Sequence, residues 1–277
     1  LNNGELTYIN PIHYKFLQYY TGDFSTKTDK TKRSPDFWDA HRLYCYFLEF
    51  SENYEYAVGD ITFKPRRRGI TQIHNSNAIE NVIGNFSCHA GLMSANKKMV
   101  KESQFYPIRN CISKYQQFFR PKFKTNGGKM LDGKLEFVIN DSNSNVEELG
   151  GSIQYSAPGS LGFDSGKLTV FNFDEFVKVE GRGFMDLLEP QLKTMWLPHT
   201  NEIIGKCHLF STMGTNDKTM KKAINEARRL WDSSSYEERD SAGWTSSKFL
   251  RYFISCYDVL VVDKYGFSDR EEAEKEQ

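Results

Sequence analysis

Apolar residues along this chain fall alternately into short continuous runs and helically spaced sets, and that succession predicts strands alternating with helices. Asp36 to Phe50 carries Phe37, Leu43, Tyr44, Phe47 and Leu48 at helical spacing behind the start signal Ser34-Pro35. Ala57 to Phe63 reads as a strand and Gln72 to Ile83 as a helix. Ala90 to Ser94 is a second strand, followed by a helix from about Lys97 to Phe119. Further strands are predicted at Lys134 to Ile139, Ser152 to Tyr155, Leu168 to Phe173, Ile203 to Phe210 and Phe253 to Val262. Phe184, Leu187, Leu188, Leu192 and Met195 mark one helix face, and another helix spans about Lys218 to Trp231. Residues 1–35 read as a mixed extension, aromatic between Tyr14 and Tyr20 and then a polar loop from Thr26 to Ser34. The order predicts an α/β fold with a mainly parallel sheet and helices on both faces.

Composition narrows the class of partner. The 277 residues are 39% hydrophobic and 14% aromatic, enough for a sizeable core. Lysine plus arginine equals aspartate plus glutamate at 36 each, so affinity for nucleic acid has to come from local patches. Cys45, Cys88, Cys111, Cys207 and Cys256 are scattered without paired spacing, which suits buried thiols in a reducing cytoplasm better than disulfides or zinc. No apolar run approaches membrane-spanning length and no signal peptide is recognisable, so no membrane partner is expected. The chain starts at Leu1 and ends in Asp269-Arg270-Glu271-Glu272-Ala273-Glu274-Lys275-Glu276-Gln277, the opening of a charged helix; both ends read as cut edges of a longer protein.

In such a sheet, ligands gather beyond the C-terminal strand ends, and three chemistry-bearing segments are placed there. The first is Lys64-Pro65-Arg66-Arg67-Arg68-Gly69-Ile70-Thr71, a basic loop between a strand and a helix. An ordinary phosphate loop reads G-x-x-x-x-G-K-[ST]. Here Lys64 holds the first Gly position, Gly69 the second, Ile70 stands where Lys is expected, and Thr71 fits. Thr71 offers a hydroxyl for Mg²⁺ and Gly69 a tight turn, so the phosphate cation has to be Lys64 or one of Arg66, Arg67 and Arg68. The second segment is Asp174-Glu175, paired carboxylates at a hydrophobic strand end, suited to holding Mg²⁺ and polarising an attacking water. The third, Ser211-Thr212-Met213-Gly214-Thr215, is a polar turn able to sense a γ-phosphate through its hydroxyls.

These three motifs, in order and spacing, resemble the ATPase portion of the large terminase subunit, the DNA-packaging motor of tailed bacteriophages, over roughly residues 36–265. The loop looks like that family's deviant Walker A, with its basic residue ahead of the Gly-x-[ST] end. Leu168 to Glu175 resembles its Walker B with catalytic glutamate, and Ser211-Thr212 its coupling motif. The resemblance implies a RecA-like P-loop ATPase of the additional-strand, catalytic-glutamate division (ASCE), with ATP and Mg²⁺ as cofactors. By the same resemblance Lys64 or Arg66 contacts the β/γ-phosphates, Thr71 and Asp174 hold Mg²⁺, Glu175 activates water, and Ser211 and Thr212 couple hydrolysis to motion. Implied partners are double-stranded DNA, a portal protein and a small terminase subunit. The implied assembly is a ring of copies docked at a procapsid portal in the host cytoplasm. Residues 266–277 are then the start of a linker, and the family's nuclease half is expected to be absent from this sequence. For DNA, the best local patch is Arg109, Lys114, Arg120, Lys122, Lys124 and Lys129, interleaved with Tyr115, Phe118, Phe119 and Phe123. A helicase-like motor, or a degenerate nucleotide-binding or structural module, are the alternatives.

Overall fold

The computed structural model describes residues 8–22, 34–66, 68–85, 87–126, 129–130, 133–140, 147–158, 163, 167–197, 199–200, 202–213 and 218–275. Two helices come first: α1 (Pro11–Tyr19) and α2 (Asp39–Asn53). Strand β1 (Gly59–Phe63) leads into α3 (Ile70–Gly84), and β2 (Cys88–Ser94) into α4 (Lys97–Val100), a π-helical turn at Lys101–Phe105 and α5 (Tyr106–Ser113). Strands β3 (Lys122–Phe123), β4 (Lys134–Asn140), β5 (Glu147–Tyr155) and β6 (Val170–Asp174) follow, then α6 (Met185–Met195). The chain continues through β7 (Lys206–Ser211), α7 (Lys221–Asp232), β8 (Phe249–Phe253), α8 (Tyr257–Leu260) and α9 (Arg270–Lys275).

One eight-stranded sheet runs in the order β8-β1-β7-β6-β2-β5-β4-β3. Every pairing from β8 to β5 is parallel, and only the β5-β4-β3 edge is antiparallel. The predicted mainly parallel sheet is therefore present, and its period-two alternation divides the core. Phe171, Phe173, Cys207 and Leu209 pack with α6 and α7 in one apolar cluster. On the opposite face α1, α2, α3 and α5 form the second cluster with Ala90, Leu92 and Ile153.

Four strand residues on the α2–α3 side are polar and buried: Asp60, Thr62, Asn172 and His208. A side-chain network joins them to α2 and α3. His208 Nδ1 lies 2.6 Å from Asp60 Oδ1, Asn172 donates to the His74 carbonyl, and Tyr44 Oη pairs with His74 Nε2 at 2.6 Å. Burial alone disfavours the charged imidazole of His208, but Asp60 and Glu52 outweigh it and hold its pKa at about 9. A folded-state pKa raised above the ordinary 6.5 means stability that is fully present below pH 6.5 and lost as pH rises through about 9. Folding stability should therefore fall by on the order of 3 kcal/mol across that range. Urea midpoints between pH 6.5 and 7 test this most cleanly, because Lys206, lowered by burial to about 8, is still largely protonated there. His208→Gln should flatten the slope; an equal slope in that variant would place its origin elsewhere.

Four expectations need correction. The helix expected through Phe119 stops at Ser113. Pro107 has no N–H to return to the Ser103 carbonyl, which instead accepts from Asn75 Nδ2 at 2.9 Å, and the π-turn lies just before it. The strand expected at Phe253 to Val262 is instead β8, set by its parallel register with β1 (Gly59 opposite Phe249). The later apolar run folds into α8 and buries Val259. Within residues 1–35, α1 was not anticipated; Asn10 caps it by accepting from His13 N at 2.9 Å, Pro11 opens it, and Phe16 is buried in the core. Of the five thiols expected to be buried, Cys256 is exposed.

Candidate active site

The strand order places β1, β7 and β6 side by side, so the three segments after them meet at one edge of the sheet. Their ladders run just past the strand ends: Lys64 N donates to Ser211 O at 3.0 Å and Glu175 N to Phe210 O at 2.8 Å. Backbone pairing thus sets the loop, the carboxylates and the polar turn at one level. At that level Lys64 Nζ is 3.2 Å from Thr71 Oγ1, 3.2 Å from Asp174 Oδ1 and 3.4 Å from Glu175 Oε1.

Gly69 makes the turn into α3 in the left-handed region, at φ +77°. A Cβ there would be strained and would stand 3.1 Å from His41 Cε1. His41 Nε2 holds the preceding turn through the Arg68 carbonyl at 2.6 Å. The first-turn N–H groups of α3, at Ile70 and Thr71, have no intrahelical carbonyl to reach, as at any helix start. They provide donors and a positive helix end for an anion.

The basic residues of the loop part company. The Lys64 side chain is only 7% exposed and lies within the carboxylate pair. Arg66 is exposed and Arg68 sits over the Trp38 ring. Arg67, Gly214 and Thr215 lie outside the described residues, as does the Lys129 side chain. Burial works against the Lys64 charge, yet Asp174 and Glu175 outweigh it and raise its pKa, so it stays an ammonium.

The two carboxylates are treated differently. Asp174 is pushed up by burial, which prevails over the pull of Lys64, with Glu175 adding to the rise. Its Oδ2 receives the hydroxyls of Thr71 (3.3 Å) and Ser103 (3.4 Å), while its buried Oδ1 faces Lys64 Nζ at 3.2 Å. Burial would also raise Glu175, but Lys64, Lys178 and Thr212 bring it below its ordinary value. Glu175 Oε2 accepts from Ser211 Oγ, Thr212 N and Thr212 Oγ1 and pairs with Lys178 at 2.5 Å. Glu175 itself takes the left-handed backbone, φ +54°, that turns its side chain out of the strand.

The donor set suits a hard cation. A buried carboxylate and a hydroxyl already aimed at it are oxygen ligands of the kind Mg²⁺ takes along with phosphate oxygens and water. Among the described residues no group of three or more His, Cys, Asp or Glu could hold a metal alone, and a nucleotide-borne Mg²⁺ needs none.

Sequence reading singled out Lys64, Gly69, Thr71, Asp174, Glu175, Ser211 and Thr212, and the fold brings them together. It missed Ser103 and Lys178. Lys178 sits three residues beyond Glu175 in a 3-10 turn (Phe176–Lys178), a spacing that was legible. Ser103 reaches Asp174 only because the π-turn after β2 is laid against β6, and no local pattern signals that. The basic-aromatic patch after α5 is partly used up internally. Arg120 bonds the Tyr115 carbonyl, Tyr115 Oη bonds Glu80, Lys124 pairs with Glu136, and Phe123 stacks near Phe137, leaving Phe118 and Phe119 exposed.

A parallel sheet with a strand inserted between the loop-bearing and carboxylate-bearing strands is a RecA-like P-loop fold. Within that class the fold is the one seen in large terminase ATPase domains. The chain is similar to the large terminase of bacteriophage HK97 (TM-score 0.56, 9% identity, covering 96% of this chain and 50% of that one). It is also similar to the large terminase ATPase domain of Thermus phage P74-26 (TM-score 0.50, 9% identity, covering 77% and 82%). This chain therefore spans about half the length of the HK97 protein. No protein-family model matches the sequence, and no curated protein matches it. Among the described residues no helix is long and apolar enough to cross a membrane.

Proposed function

We propose that this chain is the ATPase portion of a viral DNA-packaging motor, hydrolysing ATP with Mg²⁺ to drive double-stranded DNA into a capsid. The observation that carries the reading is the meeting of Lys64, Thr71, Asp174 and Glu175 around one ammonium. In this reading Lys64 is the cation for the β- and γ-phosphates, displaced from the usual Lys position, now Ile70, to the front of the loop. The α3 N-terminus and Gly69 cradle the phosphate chain. Thr71 and Asp174 would hold a magnesium ion, whose chemistry there would be to neutralise charge on the phosphates. Glu175, kept ionised by its neighbours, takes the proton of the attacking water. Ser211 and Thr212 hold one Glu175 oxygen, so a change in that carboxylate reaches the end of β7 directly. Arg66, exposed at the loop, is placed for contact with solvent or a neighbouring copy rather than with Asp174.

By the same reading the motor acts as a ring of copies at a procapsid portal, in the host cytoplasm, with a portal protein and a small terminase subunit as partners. The test is calorimetric titration of the chain with Mg·ATP. Binding in the micromolar to millimolar range, weakened when EDTA removes the metal, is expected. No binding at millimolar Mg·ATP would sink the reading.

A further inference from the structure

The outer face of α7 takes no part in the ATP site, yet it is the most one-sidedly charged helix face in the described residues. Ala223, Ala227 and Leu230 are buried against the sheet, while Lys221, Lys222, Asn225, Arg228 and Arg229 face outward. With Lys218 these five line an open groove of about 980 Å³ whose lining contains no carboxylate. Lys222 pairs with Asp186 at 2.9 Å. Among the described residues, the side chains of Lys218, Lys221, Arg228 and Arg229 make no ion pair or hydrogen bond. Such a set repels itself, and among the described residues only Lys222 of it is ion-paired, to Asp186 and Glu226.

The inner side of the same helix is tied to the catalytic carboxylate. α7 packs on the Phe176–Lys178 turn, whose Lys178 pairs with Glu175. Its Glu226 accepts from Met185 N and so anchors the start of α6. Thr212, which also holds Glu175, precedes Lys221 by nine residues. Whatever sits on the outer face is one packed layer from the residue that handles the attacking water.

We propose that the basic face of α7 is the surface that grips the phosphate backbone of double-stranded DNA. The surface takes its ligand class from the motor reading above, which it extends to a specific contact. Lys221 to Arg229 spans about 12 Å of helix, at about 1.5 Å per residue. A duplex carries one charge per about 1.7 Å of axis, so that length faces roughly seven phosphates. The contact is to backbone and not to base edges, because the groove offers lysine and arginine on an open surface without a ridge to enter a DNA groove.

The test combines Lys221→Gln, Arg228→Gln and Arg229→Gln in one chain; all three side chains are exposed and leave the core untouched. Binding of a fluorescent mixed-sequence duplex is measured from low to moderate salt, with Mg·ATP binding and DNA-free turnover measured in the same samples. Expected is a slope of log affinity against log salt shallower by about 2.7, and at least about tenfold weaker binding at 0.1 M salt, for three lost phosphate contacts. Mg·ATP binding and DNA-free turnover stay at wild-type values. Unchanged slope and affinity in the variant overturn the proposal, as does absence of duplex binding by the wild type. Displacement of the duplex by poly-glutamate of equal charge as effectively as by unlabelled duplex also overturns it, assigning the face to an acidic protein. Loss of the ATPase reading would show separately, as failure of the wild type to bind Mg·ATP.

Discussion

Glu175→Gln is expected to bind Mg·ATP within about threefold of wild type and to turn it over roughly 10³-fold more slowly, the scale of a lost general base. Glutamine keeps the shape of the side chain and an oxygen for the Ser211 and Thr212 donors, so the turn at the end of β7 should persist. It cannot take a proton from water. Lys178, now facing an amide at the position of its carboxylate partner, loses its ion pair, and a modest fall in melting temperature should accompany the kinetic loss. Single-turnover hydrolysis beside calorimetric binding separates the two effects. Turnover within tenfold of wild type would remove Glu175 from the role of base.

Lys64→Ala should be the most damaging single change in the loop. It leaves Asp174 and Glu175 buried and adjacent with their shared counter-charge gone, and breaking a buried pair in this way costs about 3–5 kcal/mol. Part of that is recovered when Asp174, already pushed toward its neutral form by burial, takes up a proton. Nucleotide affinity should fall at least about a hundredfold, the scale of two lost charge-assisted hydrogen bonds. Arg66→Ala, at an exposed position, should change stability by no more than about 0.5 kcal/mol. Urea denaturation and Mg·ATP titration of the two variants make the comparison. If Arg66→Ala loses more ATP affinity than Lys64→Ala, the phosphate cation belongs to the arginine run instead.

Much of this site was legible before any fold was known. Strand–loop–helix order around residues 64–71, carboxylates at a strand end and a hydroxyl turn at another are local patterns, and local patterns survive in sequence. The parts that went unread depend on what lies across the gap. Asn10-Pro11 is a start signal for α1, but the aromatic run after it has no clean period, and its helix is held by packing of Phe16 against the α2–α3 face. Residues 253–262 have strand-like hydrophobicity, yet the strand is drawn four residues earlier because β1 has an open edge to satisfy at Gly59 to Phe63. Ser103 belongs to the site only through a π-turn that Pro107 helps impose.

The sequence by itself determined most of the element types, the parallel sheet and the residues that carry charge and hydroxyls, because propensity, period and motif spacing are properties of neighbours along the chain. The tertiary structure decided which cation meets the carboxylates. Lys64, Arg66, Arg67 and Arg68 are equivalent in a string of letters. Only the insertion of β7 between β1 and β6 brings Lys64 to within 3.4 Å of both carboxylates, while Arg66 stays in solvent and Arg68 rests on Trp38. In a buried, low-dielectric pocket that placement, rather than the number of positive charges nearby, sets the electrostatic energy.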